Sequence, residues 1–306
     1  MNFSFFIPTY KRDVSLRECI SSIYKYWNIE DLKIIISDNN ETDIAKSVVE
    51  EFDLNYIVYS SNSTNIGIDR NMLQFLNLCK NKYCWLLGDD DSLNKKSYDL
   101  ISPFLKENLD FIILLNDNFI KEFPDGVYDI SNPNDAGKAF LAFWDKLPFG
   151  NVIINVQQAK CLDFKNDVEK YIGTSHAYSA VLWELALSPF STGKFGVITT
   201  KTVNTIEVKK TWADSSVSIH LKEIPIWFEL LPKSISSYTS KAYKKYLKLI
   251  FSPSFLLGYF HFIRQNKQNK HLFRKLLQNK PFIYIAKTYF AFLFFSFYPG
   301  YRYPNK

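Results

Sequence analysis

The chain has 306 residues, of which 47% are hydrophobic and 17% aromatic, and it contains only 10 glycines. This composition excludes fibrous and low-complexity proteins, and the length allows one large folded domain with an appendage. The formal net charge of +6 is unevenly distributed, because residues 230–306 contain 14 lysines and arginines and no aspartate or glutamate. We therefore predict a boundary near residue 230, between an acidic globular part and a basic tail.

The cysteines form no CxxC pair and no regular ladder, and most lie in apolar segments: Cys19, Cys79, Cys84 and Cys161. This pattern favours free thiols in a reducing compartment over disulfides or a zinc site. The first residues show no basic segment followed by a long apolar one, so no signal peptide is expected. Both observations predict a cytoplasmic protein.

Short β-rich segments alternate with helical patterns through the first 115 residues. A helix is predicted from about Val14, with Ser15 and Glu18 at the spacing of a capping box. Strands are predicted at 3–8, 32–37, 54–60, 82–87 and 110–115, with further helices at 43–52, at 68–80 and before the fifth strand. This alternation predicts an α/β fold with a mostly parallel sheet flanked by helices.

The pattern is looser from residue 116 to residue 229. A hairpin is predicted within 117–130, around Pro124–Gly126, and a helix over 135–145. Another helix is expected to begin after the sequence GTSH at 173–176. This region carries fewer motifs than the first half.

Polar loops follow four of the predicted strands, at 8–13, 37–43, 61–71 and 88–92. In parallel sheets, ligands bind beyond the carboxyl ends of the strands, which is where these loops lie. The last loop contains Asp89, Asp90 and Asp91 directly after an apolar strand. Adjacent carboxylates repel and are costly to bury, so they need a counter-charge, for which Mn²⁺ or Mg²⁺ holding substrate phosphates is suited. The alternative is a solvated turn with aspartate as a helix cap.

Four segments together resemble family 2 glycosyltransferases of the GT-A, Rossmann-like fold: IPTYKRDVSLRECISSI, IIISDNNETD, NIGIDRN and YCWLLGDDDSL. The resemblance covers roughly residues 3–115. The GDDD sequence and the later GTSHAY are similar to the branch that includes abequosyltransferases of O-antigen synthesis. The family implies inverting transfer of a sugar from a nucleotide-diphosphate sugar, here to a lipid-linked or polysaccharide acceptor. It divides residues 1–229 into a nucleotide-sugar-binding half (1–115) and an acceptor half (116–229).

The resemblance also implies which residues bind the donor. Residues 8–10 would line the nucleobase and ribose, Asp38 would hydrogen-bond the base, and Arg70 would lie near the base and diphosphate. A guanidinium suits such planar or anionic partners, and Arg12 is a further phosphate contact. The full predicted donor set is Pro8, Thr9, Tyr10, Arg12, Asp38, Asn39, Asn65, Gly67, Arg70 and Asp89.

The metal ligands remain open between two alignments. The family motif at this strand end resembles L-D-x-D-D, and alignment on Leu87 places Gly88 at its first aspartate. Asp90 is then the main metal ligand, assisted by Asp89 or Asp91. A shift by one residue makes Asp89 and Asp91 the ligand pair instead.

The general base is also open. Where many family members have an acidic pair at a helix start, this chain has Ser175 and His176. Capping by Thr174 or Ser175 would put His176 in the first turn, where a helix N-terminus disfavours imidazolium. His176 is then a base, an acceptor contact, a metal ligand or a structural residue, and Asp214 and Glu184 are further base candidates. We interpret the other histidines as structural.

The tail, residues 230–306, combines lysines with tyrosine and phenylalanine, and residues 241–251 have helical spacing. Residues 281–300 are long enough to span a bilayer, but a lysine and many aromatics favour an interfacial helix. Near an anionic leaflet each lysine or arginine is worth about 1 kcal/mol. We predict peripheral association with the inner face of the cell membrane, the alternative being an ordinary packed helical subdomain.

Other functions are less consistent with the sequence. A sugar-1-phosphate nucleotidyltransferase needs a glycine-rich phosphate loop, which the sequence PTYKRD lacks. A nucleic-acid-binding protein would use the basic tail, but the acidic first part and the aspartate triplet argue against it, so no nucleic-acid partner is expected. A hydrolase that releases free sugar from the donor is the last alternative.

Overall fold

The computed structural model describes residues 2–40, 42–116, 120–207 and 218–252. The strands of this part are β1 (Phe3–Thr9), β2 (Leu32–Asp38), β3 (Ile57–Ser61), β4 (Tyr83–Leu86), β5 (Asp91–Leu93), β6 (Phe111–Leu114), β7 (Gly126–Asp129), β8 (Val152–Asn155), β9 (Lys194–Ile198) and β10 (Val203–Thr205). The α-helices are α1 (Val14–Tyr26), α2 (Ile44–Val49), α3 (Ile68–Leu73), α4 (Phe75–Leu78), α5 (Ser97–Ile101), α6 (Pro133–Phe143), α7 (Val156–Ala159), α8 (Ala177–Ala186), α9 (Ile224–Leu230) and α10 (Ser236–Ile250).

Eight strands form one sheet in the order β3-β2-β1-β4-β8-β6-β9-β7. The pairs β1/β2, β1/β4, β2/β3 and β6/β9 are parallel, while β8 and the edge strand β7 run antiparallel to their neighbours. A separate antiparallel pair joins β5 to β10. The predicted mostly parallel α/β sheet is confirmed, and the carboxyl ends of β1, β2 and β4 lie at one edge.

Strand β1 shows why the sheet is covered on both faces. Phe3, Phe5 and Ile7 pack into one core with α1, whereas Phe6 packs into a second core on the opposite face. Successive side chains of a strand point to opposite faces, so an unbroken apolar strand requires two cores. Each buried phenylalanine contributes about 1.5–3 kcal/mol relative to an exposed one.

The predicted capping box at the start of α1 is wrong. Asp13 is the N-cap, and its carboxylate accepts a hydrogen bond from the Val14 backbone N–H. The two atoms are 2.8 Å apart. Ser15 is buried inside the helix, so its side chain packs instead of capping.

Two further predictions of local structure need correction. The helix expected over 68–80 is divided at Gln74 into α3 and α4. The hairpin around Pro124–Gly126 is not found in the described residues, because β7 pairs with β9. Phe123, in the turn before β7, packs against Phe143 and Phe195, which explains why this segment turns inward instead of forming a strand.

Helix α10 contributes to the core of the second half. Ala242, Tyr246, Leu247 and Ile250 are buried there, and the ring of Tyr238 lies against Gly137 of α6. The change in charge near residue 230 therefore does not coincide with a change in packing up to residue 252. The predicted interfacial segment 281–300 lies outside the described residues, and no helix within the described ranges is long and apolar enough to span a bilayer.

Candidate active site

The ends of β1 and β2 bring the first two polar loops together. Thr9 and Asp38 are opposite each other in the parallel register, and the Asn39 backbone N–H donates to the Thr9 carbonyl at 2.9 Å. Pro8 and Tyr10, on either side of buried Thr9, are partly exposed. The loop that follows β1 is thus fixed against the loop that follows β2.

Asp89 is held by residues of the first loop. Its carboxylate accepts hydrogen bonds from Thr9 Oγ1 at 2.7 Å and from Arg12 Nη1 at 2.8 Å. The same Arg12 nitrogen lies 3.2 Å from an oxygen of Asp90. One guanidinium therefore contacts two of the three adjacent carboxylates, Asp89 and Asp90, which leaves the cluster with an excess of negative charge when all three are ionised.

Burial raises the pKa values of two of these aspartates. The pKa of Asp89 rises to about 6, although Arg12 and Thr9 oppose the change. The pKa of Asp91 rises to about 7, because the charges of Asp90 and Asp89 add to the effect of burial. Asp90 has the most exposed side chain of those that Arg12 contacts, at 35%. The cluster is thus poorly neutralised by the protein alone.

Two glycines give room to the carboxylates. A Cβ atom on Gly88 would lie 2.9 Å from Asp90 Oδ1 and 3.0 Å from Asp91 Oδ2, so both oxygens flank this residue. A Cβ on Gly150 would lie 2.2 Å from Asp91 Oδ2. The residue that departs from the family motif, Gly88, is therefore the one that leaves space for the two carboxylates.

Asp90 and Asp91 fit a divalent cation. In the described part of the chain, no group of three or more His, Cys, Asp or Glu side chains converges on one point, since Asp89 faces Thr9 and Arg12. Two protein carboxylates, with water and substrate phosphates as the other ligands, are the usual set for Mg²⁺ and are all-oxygen donors that Mn²⁺ also accepts. In this arrangement Asp89 would bind Arg12 beside the two cation ligands, Asp90 and Asp91.

Asp38 is fully buried at the end of β2. One carboxylate oxygen accepts a hydrogen bond from Tyr59 Oη at 2.9 Å. The other has no hydrogen-bond partner of good geometry among the described residues, although the Asn40 backbone N–H lies near enough to lower the pKa of Asp38. Burial nevertheless raises the pKa of Asp38. A buried acceptor without a donor is costly, so this oxygen is suited to an N–H group of a bound molecule.

Side-chain amides position the loop before α3. Asn39 donates to Asn65 Oδ1 at 2.9 Å and accepts from the Ile66 N–H at 2.9 Å. Gly67, at φ +86°, adopts a left-handed conformation that suits glycine, and its N–H donates to Asn65 Oδ1. Arg70 follows in α3 with an exposed side chain. The predicted donor residues of this loop are thus tied to the end of β2.

Asp69 joins this loop to the second half of the chain. Its buried carboxylate accepts hydrogen bonds from the backbone N–H groups of Gly173, Ser175 and Ala177, at 2.8, 2.9 and 3.2 Å. Burial raises the pKa of Asp69, and these hydrogen bonds oppose the change. One carboxylate therefore fixes the loop that leads into α8.

The cap of α8 differs from the prediction. His176 itself is the N-cap residue, so it does not lie in the first turn, and neither Thr174 nor Ser175 caps the helix. The N–H group of Ala177, the first residue of the helix, donates to Asp69 instead. Burial lowers the pKa of His176, in the direction expected, although the main cause is desolvation and not the helix terminus.

A carboxylate from a distant segment lies beside this loop. Glu223 accepts hydrogen bonds from Ser175 Oγ at 2.5 Å and from Ser218 Oγ at 2.9 Å. His220 lies near His176, and burial lowers the pKa of His220 to about 4. Neutral histidines and one glutamate thus surround the start of α8.

The other predicted bases lie elsewhere. Glu184 is in α8, buried, and bound to Tyr171 Oη at 2.5 Å and Lys170 Nζ at 2.8 Å. Eight residues separate it from His176, which is about 12 Å along a helix. The structure therefore does not bring Glu184 to the start of α8, and Asp214 lies outside the described residues.

Residues 4–157, half of the chain, match the family model described as Glycosyl transferase family 2. The chain belongs to glycosyltransferase family 2. This confirms the family expected from the loops after β1, β2, β3 and β4.

Two curated relatives are similar to part of this family 2 chain. Abequosyltransferase RfbV of Salmonella typhimurium is 38% identical over 139 residues, which is 44% of this chain and 40% of the relative. The GalNAc(5)-diNAcBac-PP-undecaprenol beta-1,3-glucosyltransferase of Campylobacter jejuni is 36% identical over 93 residues, which is 29% of this chain and 30% of the relative. The matches thus span less than half the length of each relative.

Solved structures extend the likeness to nearly the whole chain. TarS 1–349 of S. aureus has a TM-score of 0.59 at 14% identity, covering 90% of this chain and 79% of that one. The mannosyltransferase PcManGT of Pyrobaculum calidifontis, in complex with GDP-Man and Mn²⁺, has a TM-score of 0.53 at 12% identity, covering 95% and 87%. With the mostly parallel sheet, these likenesses identify the GT-A fold.

Three residues beside the candidate site were not singled out from the sequence. Asp69 directly precedes the predicted Arg70, yet its partners lie more than 100 residues away. The only feature of the sequence that could have drawn attention to Gly150 is that glycine is scarce in this chain. Glu223 lies in a helical segment without a motif, so nothing in the sequence relates it to Ser175.

Proposed function

We propose that the chain is an inverting, metal-dependent glycosyltransferase that transfers a hexosyl or deoxyhexosyl unit from a nucleotide-diphosphate sugar. The acceptor is a lipid-linked glycan or a polysaccharide in surface-glycan synthesis, such as that of O-antigen or capsule. The observation that carries the proposal is the carboxylate cluster at the end of β4, where Arg12 compensates only part of the charge.

The donor site follows from the geometry of the loops. Asp38 offers its unpaired oxygen to an N–H group of the nucleobase, and the partly exposed ring of Tyr10 offers a stacking surface. Arg70, exposed on α3, suits the diphosphate. Solved relatives of the same fold in complex with UDP-GlcNAc or GDP-Man support this class of donor.

Asp90 and Asp91 would hold Mn²⁺ or Mg²⁺. When bound, the cation stabilises the negative charge of the departing diphosphate. Asp89 and Arg12 keep the neighbouring loop in place, and Arg12 is close enough to the cluster to contact a phosphate once a cation neutralises Asp90. The choice of Asp90 and Asp91 over the pair Asp89 and Asp91 rests on the contacts that already occupy Asp89.

The acceptor would approach from the second half of the chain. Inversion requires in-line attack by an acceptor hydroxyl and a base that removes its proton. Of the proposed bases, His176 is the one at the start of α8, where a neutral imidazole can accept a proton or orient the acceptor. The undecaprenol-linked substrate in the name of one relative supports a lipid-linked acceptor.

A binding panel tests the proposed function. The full chain is heated with Mn²⁺ and, in turn, UDP-, dTDP-, CDP- and GDP-sugars, with EDTA as the control. We expect one nucleotide to raise the melting temperature only with the metal, since a ligand at 100 times its Kd stabilises by about 2.7 kcal/mol. No shift with any donor, or an equal shift in EDTA, would contradict the proposal.

We also propose that the chain associates with the inner face of the cell membrane through its basic end. Helix α10 has its apolar face in the core, while Lys241, Lys244, Lys245 and Lys248 are exposed and form no ion pair with a described residue. At about 1 kcal/mol for each lysine, replacing all four by glutamine should strongly weaken binding to vesicles containing phosphatidylserine. The matched control is Lys95→Gln with Lys96→Gln, two exposed lysines of the donor half; equal binding by both variants would contradict the proposal.

A further inference from the structure

The start of α8 contains a carboxylate that the local sequence lacks. Ser175 and His176 stand where many family members have an acidic pair. Glu223 reaches this place from the end of a π-helical turn, Ile219–Glu223, and is hydrogen-bonded to Ser175 Oγ at 2.5 Å. A distant segment thus supplies the charge.

Ser175 is held in an unusual conformation toward Glu223. Its φ of +59° lies in the left-handed region, which a serine adopts only at a cost of about 1–3 kcal/mol. Asp69 stabilises this conformation by accepting the N–H groups of Gly173 and Ser175. Such strain is common where a side chain must point at a reacting group.

Contacts connect this place to the carboxylate cluster. Tyr178, in the first turn of α8, donates to the Leu147 carbonyl at 2.6 Å and packs edge-on against Phe149 at 5.1 Å. The next residue, Gly150, lies against Asp91. The start of α8 and the cation ligands therefore share the segment 147–150, with the α8 side on the acceptor half.

Glu223 is better placed than His176 to take a proton from an acceptor hydroxyl. The His176 ring packs near Trp227 and Tyr178, and its Nδ1 lies 3.4 Å from the Thr174 carbonyl. Burial lowers the pKa of His176, so the ring is neutral and does not pair with Glu223. Glu223 is only partly buried, and in the described ranges no lysine or arginine forms an ion pair with it.

We infer that Glu223 is the general base of the proposed transfer, an inference that rests on the proposed function, and that Ser175 is its positioning residue. The acceptor hydroxyl oxygen forms a bond to the anomeric carbon while the bond from that carbon to the diphosphate oxygen breaks. The hydroxyl proton passes to Glu223, and the electron pair of the broken bond leaves on the diphosphate.

The test measures nucleoside diphosphate release from the donor that the binding panel selects, with water and octyl glycosides as acceptors. Glu223→Gln should lower kcat by about 10²–10⁴-fold, the range for losing a general base, with the donor KM unchanged. The matched control is Glu229→Gln, an exposed glutamate of α9, which should keep full activity. His176→Gln should lower kcat less than Glu223→Gln does, because His176 would orient the acceptor without taking its proton.

A second measurement separates catalysis from folding. The Mn²⁺-dependent shift in melting temperature with donor should be the same in Glu223→Gln and wild type. Ser175→Ala should lower kcat less than Glu223→Gln, and Glu223→Asp should recover part of the activity. Activity of Glu223→Gln near that of Glu229→Gln, or a larger loss in His176→Gln, would overturn the assignment.

The same experiment distinguishes failure of the proposed function. A wild-type chain that binds no nucleotide with Mn²⁺ contradicts the transferase itself. If the wild-type chain binds the donor and turns it over, and the Glu223→Gln variant has the same turnover rate, only the inference about Glu223 is overturned. If the wild-type chain binds the donor but releases no nucleoside diphosphate with any acceptor, the result counts against the transferase and against Glu223 as its base. The reason is that a base in place beside the donor should activate water.

Discussion

The proposed donor and acceptor sides of the site are built in different ways. On the donor side, Thr9 and Asp38 are the last residues of β1 and β2, and Asp89 lies three residues after the end of β4, so the parallel sheet brings them to one edge. On the acceptor side, Ser175 and Glu223 come from distant parts of the chain and meet through a hydrogen bond, and Asp69 of the first half binds the same loop. The donor side is therefore determined by the sheet, and the acceptor side by a few long-range polar contacts.

The largest expected effect is on the donor side. Asp90→Ala removes one of the two carboxylates that fit the cation, so Mn²⁺-dependent nucleotide binding should weaken by at least about 100-fold, more than loss of an outer-shell partner. Titration calorimetry with Mn²⁺ and the selected nucleotide measures this. Asp99→Ala, an exposed aspartate of α5, is the control; similar affinities for the two variants would show that the donor side does not depend on Asp90.

The next effect tests the contact between the two sides. Asp69→Ala leaves the backbone N–H groups of Gly173, Ser175 and buried Ala177 without their carboxylate, so the free energy of unfolding should fall by about 2–4 kcal/mol. Urea denaturation measures the loss. Asp99→Ala should change it by less than about 0.5 kcal/mol, as is usual for surface positions, and an equally small change for Asp69→Ala would mean that the sides are joined by other contacts.

The pH dependence of cation binding sharpens the description of the donor side. The pKa of Asp91 is about 7 in the folded protein, above the usual value near 3.9. Protons therefore compete with the cation, and Mn²⁺ affinity should fall about tenfold for each pH unit below about 7 if one proton is displaced.

Stability of the metal-free protein should change in the opposite direction. A folded pKa above the unfolded one means that the folded state binds the proton first, so this contribution is complete below about pH 4 and is lost as the pH rises to about 7. Asp91→Asn should remove the part of each dependence nearest pH 7, while the part near pH 6 that is due to Asp89 should remain. Calorimetry and urea denaturation across this range measure them, and unchanged profiles in Asp91→Asn would assign the titration to another group.

The smallest effect concerns Asp38, the buried residue proposed to bind the nucleobase. Tyr59→Phe removes the hydroxyl that donates to Asp38, so the free energy of unfolding should fall by about 1–2 kcal/mol. Tyr56→Phe, whose hydroxyl makes no hydrogen bond to a described residue, should be neutral. Chemical denaturation of both variants gives the difference, and equal stability would show that water replaces the tyrosine at Asp38.

The donor side could be predicted from the sequence, whereas the acceptor side could not. Strands β1, β2, β3, β4 and β6 were predicted because buried parallel strands are continuous apolar segments. The loops after them were predicted as the ligand site because parallel strands end at one edge. The sheet confirms the predicted fold, and the family model confirms the predicted family. The roles of the individual donor residues remain predictions.

The acceptor side could not be predicted because its determinants are not local. The preference of Asp69 for the loop before α8 depends on tertiary contact, as does the hydrogen bond of Ser175 to Glu223. Capping motifs were misleading at α1 and α8, since a neighbouring or distant aspartate took the orphan N–H groups. Hydrogen-bond partners of that kind leave no periodic pattern in a sequence.

The packing of α10 sets a limit on how the protein can be shortened. Tyr246, Leu247 and Ile250 lie in the same core as Phe140 and Trp227, so a version that stops at residue 230 would expose a large apolar surface. Shortened versions for expression should therefore keep all residues through Ser252, because α10, which carries the exposed lysines, also packs into the core of the second half.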